Sequence, residues 1–125
     1  MTLKLIRLEL ARNEEFPNGS AAHGYEFTAP LDENGQLDMA EWKTYHLACT
    51  VWRFWGDEPE EHGELIHDRH GWAFSYERGD ADDEPIFKFD RHVLREGEYI
   101  SITEHDGVTR TFRVAWIRPA PALSE

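Results

Sequence analysis

From residue 4 onward the chain alternates: Ile6, Leu8 and Leu10 fall on one side, Arg7 and Glu9 on the other. This period of two marks a half-buried strand. Turn-forming residues follow around Pro17-Asn18-Gly19. His23 to Ala29 then reads as a second strand, with Tyr25 and Phe27 on one face and Pro30 as its end. One helix is marked at its start. Asp38 can accept from orphan amides, Glu41 three residues on can reach back, and Leu37 can pack on Trp42 across the cap. It should run from about Met39 to about Leu47 as a short amphipathic plug, with Met39, Trp42 and His46 on one side. Thr50 to Trp55 is β-branched and aromatic and predicts a strand in which Trp52 and Phe54 fill one face, leaving Arg53 and Trp55 for the other. An acidic loop, Asp57 to Glu61, leads to a hairpin. Glu64 to His67 goes out, Trp72 to Tyr76 returns with Trp72, Phe74 and Tyr76 in one stripe, and the turn lies near Asp68 to Gly71. A second acidic loop, Gly79 to Pro85, precedes a strand at Ile86 to Phe89.

Parity decides the last hairpin, in which Glu98 to Glu104 and Thr109 to Trp116 flank Asp106-Gly107. A two-residue Asp-Gly turn would set Ile102 opposite Thr111 and Ile100 opposite Arg113, sending the two apolar sets to opposite faces. A three-residue loop, His105-Asp106-Gly107 with Gly107 in the left-handed conformation, instead brings Ile100 to Phe112, Ile102 to Arg110 and Glu98 to Val114. These elements predict a mainly β fold: an antiparallel meander or small β-barrel of about seven strands with one short α-helix packed against it. A single domain over residues 1–118 and a loose Pro-Ala tail over 119–125 complete the expected organisation.

The 125 residues include 25 Asp and Glu against 13 Lys and Arg, a formal charge of −12 with the histidines neutral. A surface this acidic lacks the basic stripe that releases counterions on nucleic acid, and it is repelled by anionic lipid headgroups. Neither nucleic acid nor membrane is therefore expected as a partner. No apolar run approaches a spanning helix and none resembles a leader peptide, so a cytoplasmic location is expected. The single Cys49 forms no intrachain disulfide and suits a reducing compartment. Seven histidines among so many carboxylates lead us to expect a melting temperature slightly higher near pH 6 than near pH 8 at low salt.

Candidate chemistry is sparse. Asp32 to Glu41 resembles the second part of an EF-hand calcium loop, with Gly35 at the sixth position and Glu41 at the twelfth. Pro30 stands at the first position without a side-chain oxygen, so an Asn-Gly turn followed by the capped helix accounts for the same letters. His62, His67 and His70, beside Glu61, Glu64 and Asp68, form a nitrogen-oxygen donor set suited to a divalent metal such as zinc, nickel or iron. On an extended strand, however, His67 and Glu64 point to opposite faces, so the turn would have to curl back to gather the three rings. No cofactor is otherwise implied. No Gly-x-Ser-x-Gly elbow, phosphate loop or dinucleotide fingerprint occurs, and no base neighbours Cys49 in sequence. The five tryptophans exceed what so small a core requires, and Arg53, Trp55 and Trp72 are the candidate binding residues, Trp and Arg being the usual anchors of binding surfaces. The two acidic loops read as solvated segments able to attract a basic partner.

His23-Gly24-Tyr25-Glu26-Phe27, Leu37-Asp38 with Trp42, Cys49 to Trp55, and Gly97-Glu98-Tyr99 through Phe112-Arg113-Val114 together resemble a small conserved bacterial protein family of unassigned function. The resemblance spans most of the chain; it implies no activity and assigns no site. The residues themselves point to a non-catalytic acidic binding or protein-interaction module, with an unknown protein or small molecule as ligand. The rival from the enzyme class is a metal-assisted hydrolase or isomerase with a histidine/carboxylate site in a β-barrel pocket.

Overall fold

A computed structural model describes residues 3–68, 71–76, 83–86, 89–91 and 93–120. Its eight strands are β1 (Leu3–Leu10), β2 (Ser20–Pro30), β3 (Thr50–Trp55), β4 (Glu58–Asp68), β5 (Gly71–Tyr76), β6 (Glu84–Pro85), β7 (Tyr99–Thr103) and β8 (Thr109–Pro119). They form one antiparallel sheet in the order β6-β5-β4-β3-β2-β1-β8-β7. The bridge between Ile86 and Ile102 brings the two edges together, so each strand neighbours the next in sequence and β8 returns to β1. The result is a nearly closed up-and-down barrel, an architecture that leaves little free strand edge.

The helix α1 (Met39–Tyr45) lies in the connection from β2 to β3 and is followed by a 3-10 turn at His46–Ala48. Asp38 caps it by accepting from the Glu41 amide at 3.1 Å. Trp42 reaches over the barrel end, donates its indole N–H to the Leu65 carbonyl at 3.1 Å and meets Trp72 edge-on. This end of the interior is apolar. Phe27, Leu65, Phe74 and Phe89 are each at most 1% exposed, and Phe27 and Phe74 pack ring to ring. The stripe Trp72, Phe74 and Tyr76 faces inward as the alternation requires.

The β7–β8 hairpin adopts the three-residue loop, with Ile100 opposite Phe112 and Ile102 opposite Arg110. Gly107 takes φ +84°, the left-handed conformation that lets the odd loop close.

Elsewhere the expectations need correction. Most of the segment read as an acidic loop at Asp57 to Glu61 is strand β4, with only Gly56 and Asp57 between β3 and β4. Arg53 pairs with Glu61 and Trp55 with Glu58, so Pro59 falls where the register shifts, a place in a ladder where a missing N–H costs little. β6 starts at Glu84, two residues ahead of the strand expected at Ile86 to Phe89, and Phe89–Arg91 is a 3-10 turn. β3 divides its side chains between two faces as expected, and the inward one is the face of Arg53. Val51 and Arg53 are buried inside, while Trp52 and Phe54 share the outer face, ring to ring. β8 runs on to Pro119, and the Ala120 amide donates to the Leu3 carbonyl at 3.1 Å. Among the described residues no helix is long and apolar enough to cross a membrane.

Candidate functional site: a buried carboxylate layer and an outer groove

The barrel end opposite α1 carries the β1–β2, β3–β4 and β7–β8 connections, and there the interior changes character. Tyr25 from β2, Arg53 from β3, Glu61 from β4, Tyr76 from β5 and Glu84 from β6 turn inward, joined by Glu104, His105 and Arg110 from the β7–β8 hairpin. Glu84 is 0% and Glu104 2% exposed. All four of their carboxylate oxygens have partners. Glu84 Oε1 lies 2.9 Å from the Tyr25 hydroxyl and 2.8 Å from that of Tyr76. Its Oε2 accepts from the His105 amide at 3.0 Å and lies 2.7 Å from His105 Nδ1. Glu104 Oε2 lies 2.6 Å from the Tyr25 hydroxyl and accepts from Arg53 Nε and Nη2 at 3.2 and 3.1 Å, while its Oε1 accepts from Arg110 at 2.7 Å.

Tyr25 brings one proton to two carboxylates. With both ionised, one of its two contacts would set lone pair against lone pair. The shared donor therefore disfavours ionisation of both acids at once; the Tyr25 hydroxyl lies nearer Glu104, and Tyr76 donates to Glu84. The environment acts in the same direction. Burial pushes the Glu84 carboxyl above its ordinary value, against the hydrogen bonds from Tyr76, the His105 amide and Tyr25 and the charge of Arg53. The Tyr25 hydroxyl is held well above its usual range by burial and by the neighbouring carboxylates. For Arg53, burial works against the charge, and the oxygens of Tyr25, Glu104 and Glu84 outweigh it, so the guanidinium stays protonated.

Trp55 lies over this layer, its ring 4.3 Å from the Arg53 guanidinium carbon and 5.4 Å from that of Arg110. His23 meets Trp55 edge-on, and Phe16 meets His23 in turn.

On the outer face, the segment after β1, the start of β2 and strands β7 and β8 enclose a groove of about 640 Å³. Arg12, Tyr99, Thr111 and Arg113 line it together with Glu9 and the backbone at Asn18 to Ala21. Tyr99 is 56% exposed. Neither Arg12 nor Arg113 has an ion pair or side-chain hydrogen bond among the described residues, whereas Arg7 binds Glu9 at 2.7 Å and Glu26 at 2.6 Å.

Of the candidate binding residues, Arg53 and Trp72 are buried, at 5% and 4% exposure, and Trp55 is half-buried. Arg53 and Trp55 meet in the polar layer. Trp72 belongs to the opposite end, under Trp42 and His67, and its buried indole N–H has no acceptor among the described residues. All five tryptophans are buried or half-buried, so the surplus goes to the interior and to the barrel's outer wall. His62 and His67 lie on opposite faces of β4, where His62 stacks on Trp52 and His67 packs on Trp72; His70 lies outside the described residues. No group of three potential metal ligands occurs among the described residues. At the EF-hand-like segment, Asp32 Oδ1 accepts from the amides of Asn34 and Gln36, an Asx turn leading to the capped helix.

The inward carboxylates escaped the sequence reading, although part of the signal was present. Glu104 is in phase with Ile100 and Ile102, and Arg53 with Val51. Glu84, at the end of an acidic run, read as solvated; the structure buries it completely. Comparison with protein-family models, with curated proteins and with solved structures returns no match, so function is argued from the two sites themselves.

Proposed function

We propose that the protein is a non-catalytic binding module: a filled, helix-plugged barrel that offers its outer groove to a ligand. One contrast carries this reading. The groove presents two arginines without partners among the described residues and an exposed tyrosine, whereas the acid-base groups of the interior are engaged with one another. A general acid or base must come within hydrogen-bond reach of a substrate proton. Glu84 and Glu104 direct all their oxygens at Tyr25, Tyr76, Arg53, Arg110 and His105 instead. The buried Cys49 thiol, pushed up to about 11 by burial, stays protonated and offers no nucleophile, which suits a binding module.

A chemically mixed fragment library screened by amide chemical shifts tests the proposal. Fragments are expected to perturb Ala11, Gly19, Ala21 and Thr111 around the groove. Perturbations confined to Glu84, Glu104 and His105 would overturn it in favour of an internal, catalytic-type site. Stoichiometric zinc, nickel or iron in protein purified without a histidine tag would likewise favour the metal-assisted enzyme.

A further inference from the structure

We infer that the outer groove takes a small organic anion, a carboxylate or phosphate carried on an aromatic ring; this rests on the groove being the binding surface. With 25 acidic side chains against 13 basic ones, arginines have carboxylates within easy reach. Among the described residues Arg7, Arg53 and Arg110 each bind at least one; Arg12 and Arg113 bind none, as is true of Arg91, Arg95 and Arg118, and what sets these two apart is that they line one cavity together. Glu9 lines the same cavity with its carboxylate engaged by Arg7 Nε at 2.7 Å, so two arginines face one acid in the lining. The groove is therefore locally cationic on a protein of net charge −12.

The guanidinium fork is shaped for the paired oxygens of a carboxylate or phosphate. Tyr99 supplies an exposed ring face beside Arg113, its pairing partner across β7 and β8. Gly19 shapes the wall. At φ +72°, with the site of a Cβ only 2.8 Å from the Leu10 carbonyl oxygen, it lets the β1–β2 connection lie against β1, where a side chain would push it away. A volume of about 640 Å³ falls within the range of small-molecule sites. The charge of the remaining surface argues against a polyanion, whose further phosphates would meet acidic groups outside the groove. A single anionic head group does not extend that far.

Titration with phenyl phosphate, benzoate and neutral benzyl alcohol, read by amide shifts, tests the inference on the intact protein and on Arg12→Gln and Arg113→Gln. Both arginines are exposed, so an unchanged melting temperature should show that the variants fold. Phenyl phosphate and benzoate should saturate shifts at Ala21 and Thr111, and each variant should weaken them by about tenfold or more, as loss of a charged hydrogen bond does. Equal affinity for benzyl alcohol would overturn the anion while leaving the groove a binding surface. Unchanged phenyl phosphate binding in the doubly substituted protein would overturn the role of the arginines, and no response to any of the three compounds would overturn the inference as a whole.

Discussion

The two ends of the barrel are built from the same strands and held by different physics. At the helix end, Phe27, Leu65, Phe74 and Phe89 fill the interior, and α1 closes it with Trp42. Burial of apolar surface drives that end, and it is tolerant of direction: any side chains of the right volume contribute. At the other end, Glu84, Glu104, Arg53, Tyr25 and Tyr76 are as deeply buried, but each is stable only because its neighbours are in place. A buried ion pair adds little net stability relative to an apolar pair, while loss of one member is expensive. The first end is thus robust and the second specific.

Substitution should separate them. Phe74→Ala is expected to cost about 3–5 kcal/mol in chemical denaturation through the cavity it leaves. Arg53→Met should cost a comparable ~3–5 kcal/mol although it removes no apolar packing, because Glu104 then stays buried with only Arg110 to balance it. The decisive companion is Arg53→Met with Glu104→Leu, which should recover most of that loss. No recovery would mean that the layer is held by shape and not by charge. No second substitution of this kind is expected to rescue Phe74→Ala.

Acid dependence sharpens the comparison further. Glu84 binds its proton more tightly in the folded chain than in the unfolded one, so its contribution is fully present below the ordinary carboxyl value of 4.5 and is lost as pH rises through the raised folded value. Stability should fall with rising pH in that window by up to about 1.4 kcal/mol per pH unit, and Glu84→Gln should flatten the slope. Denaturation series at successive pH values would show it. An unchanged slope would mean that Glu84 is ionised in the folded protein. The sign is the same as that expected for the histidines, but a buried carboxyl is its source.

Smaller effects belong to the periphery of each end. Asp38→Ala, which removes the cap of α1, should cost about 1 kcal/mol. Asp106 shows the reverse pH behaviour to Glu84. Its slight burial is outweighed by the Val108 amide and by Arg110, which hold its carboxyl below the ordinary value, so its contribution is present at neutral pH and lost in acid. Since its side chain is half exposed, solvent screens that contribution, and Asp106→Asn should cost no more than a few tenths of a kcal/mol at pH 7.

Local rules were enough for much of this protein. The parity of Ile100, Ile102, Phe112 and Val114 admits one hairpin register, because a slip by one residue would turn an apolar set to solvent. The Asp38 cap and the inward stripe Trp72, Phe74 and Tyr76 follow from equally local constraints. On β3, alternation divided the faces without saying which one is inside. Trp52 and Phe54 carry more apolar surface than Val51 and Arg53, yet barrel closure puts Arg53 inside, where Glu104 and Glu84 on distant strands compensate its charge. Glu84 and Tyr25 are 59 residues apart, and Glu104 and Tyr25 are 79 apart. No window of sequence contains the partners that make such carboxyls cheap to bury. Composition and alternation determined a mainly β, acidic chain with a capped helix, whereas only the closed barrel decided which polar side chains lie inside it and which arginines line the outer groove, because both depend on groups that meet across the fold.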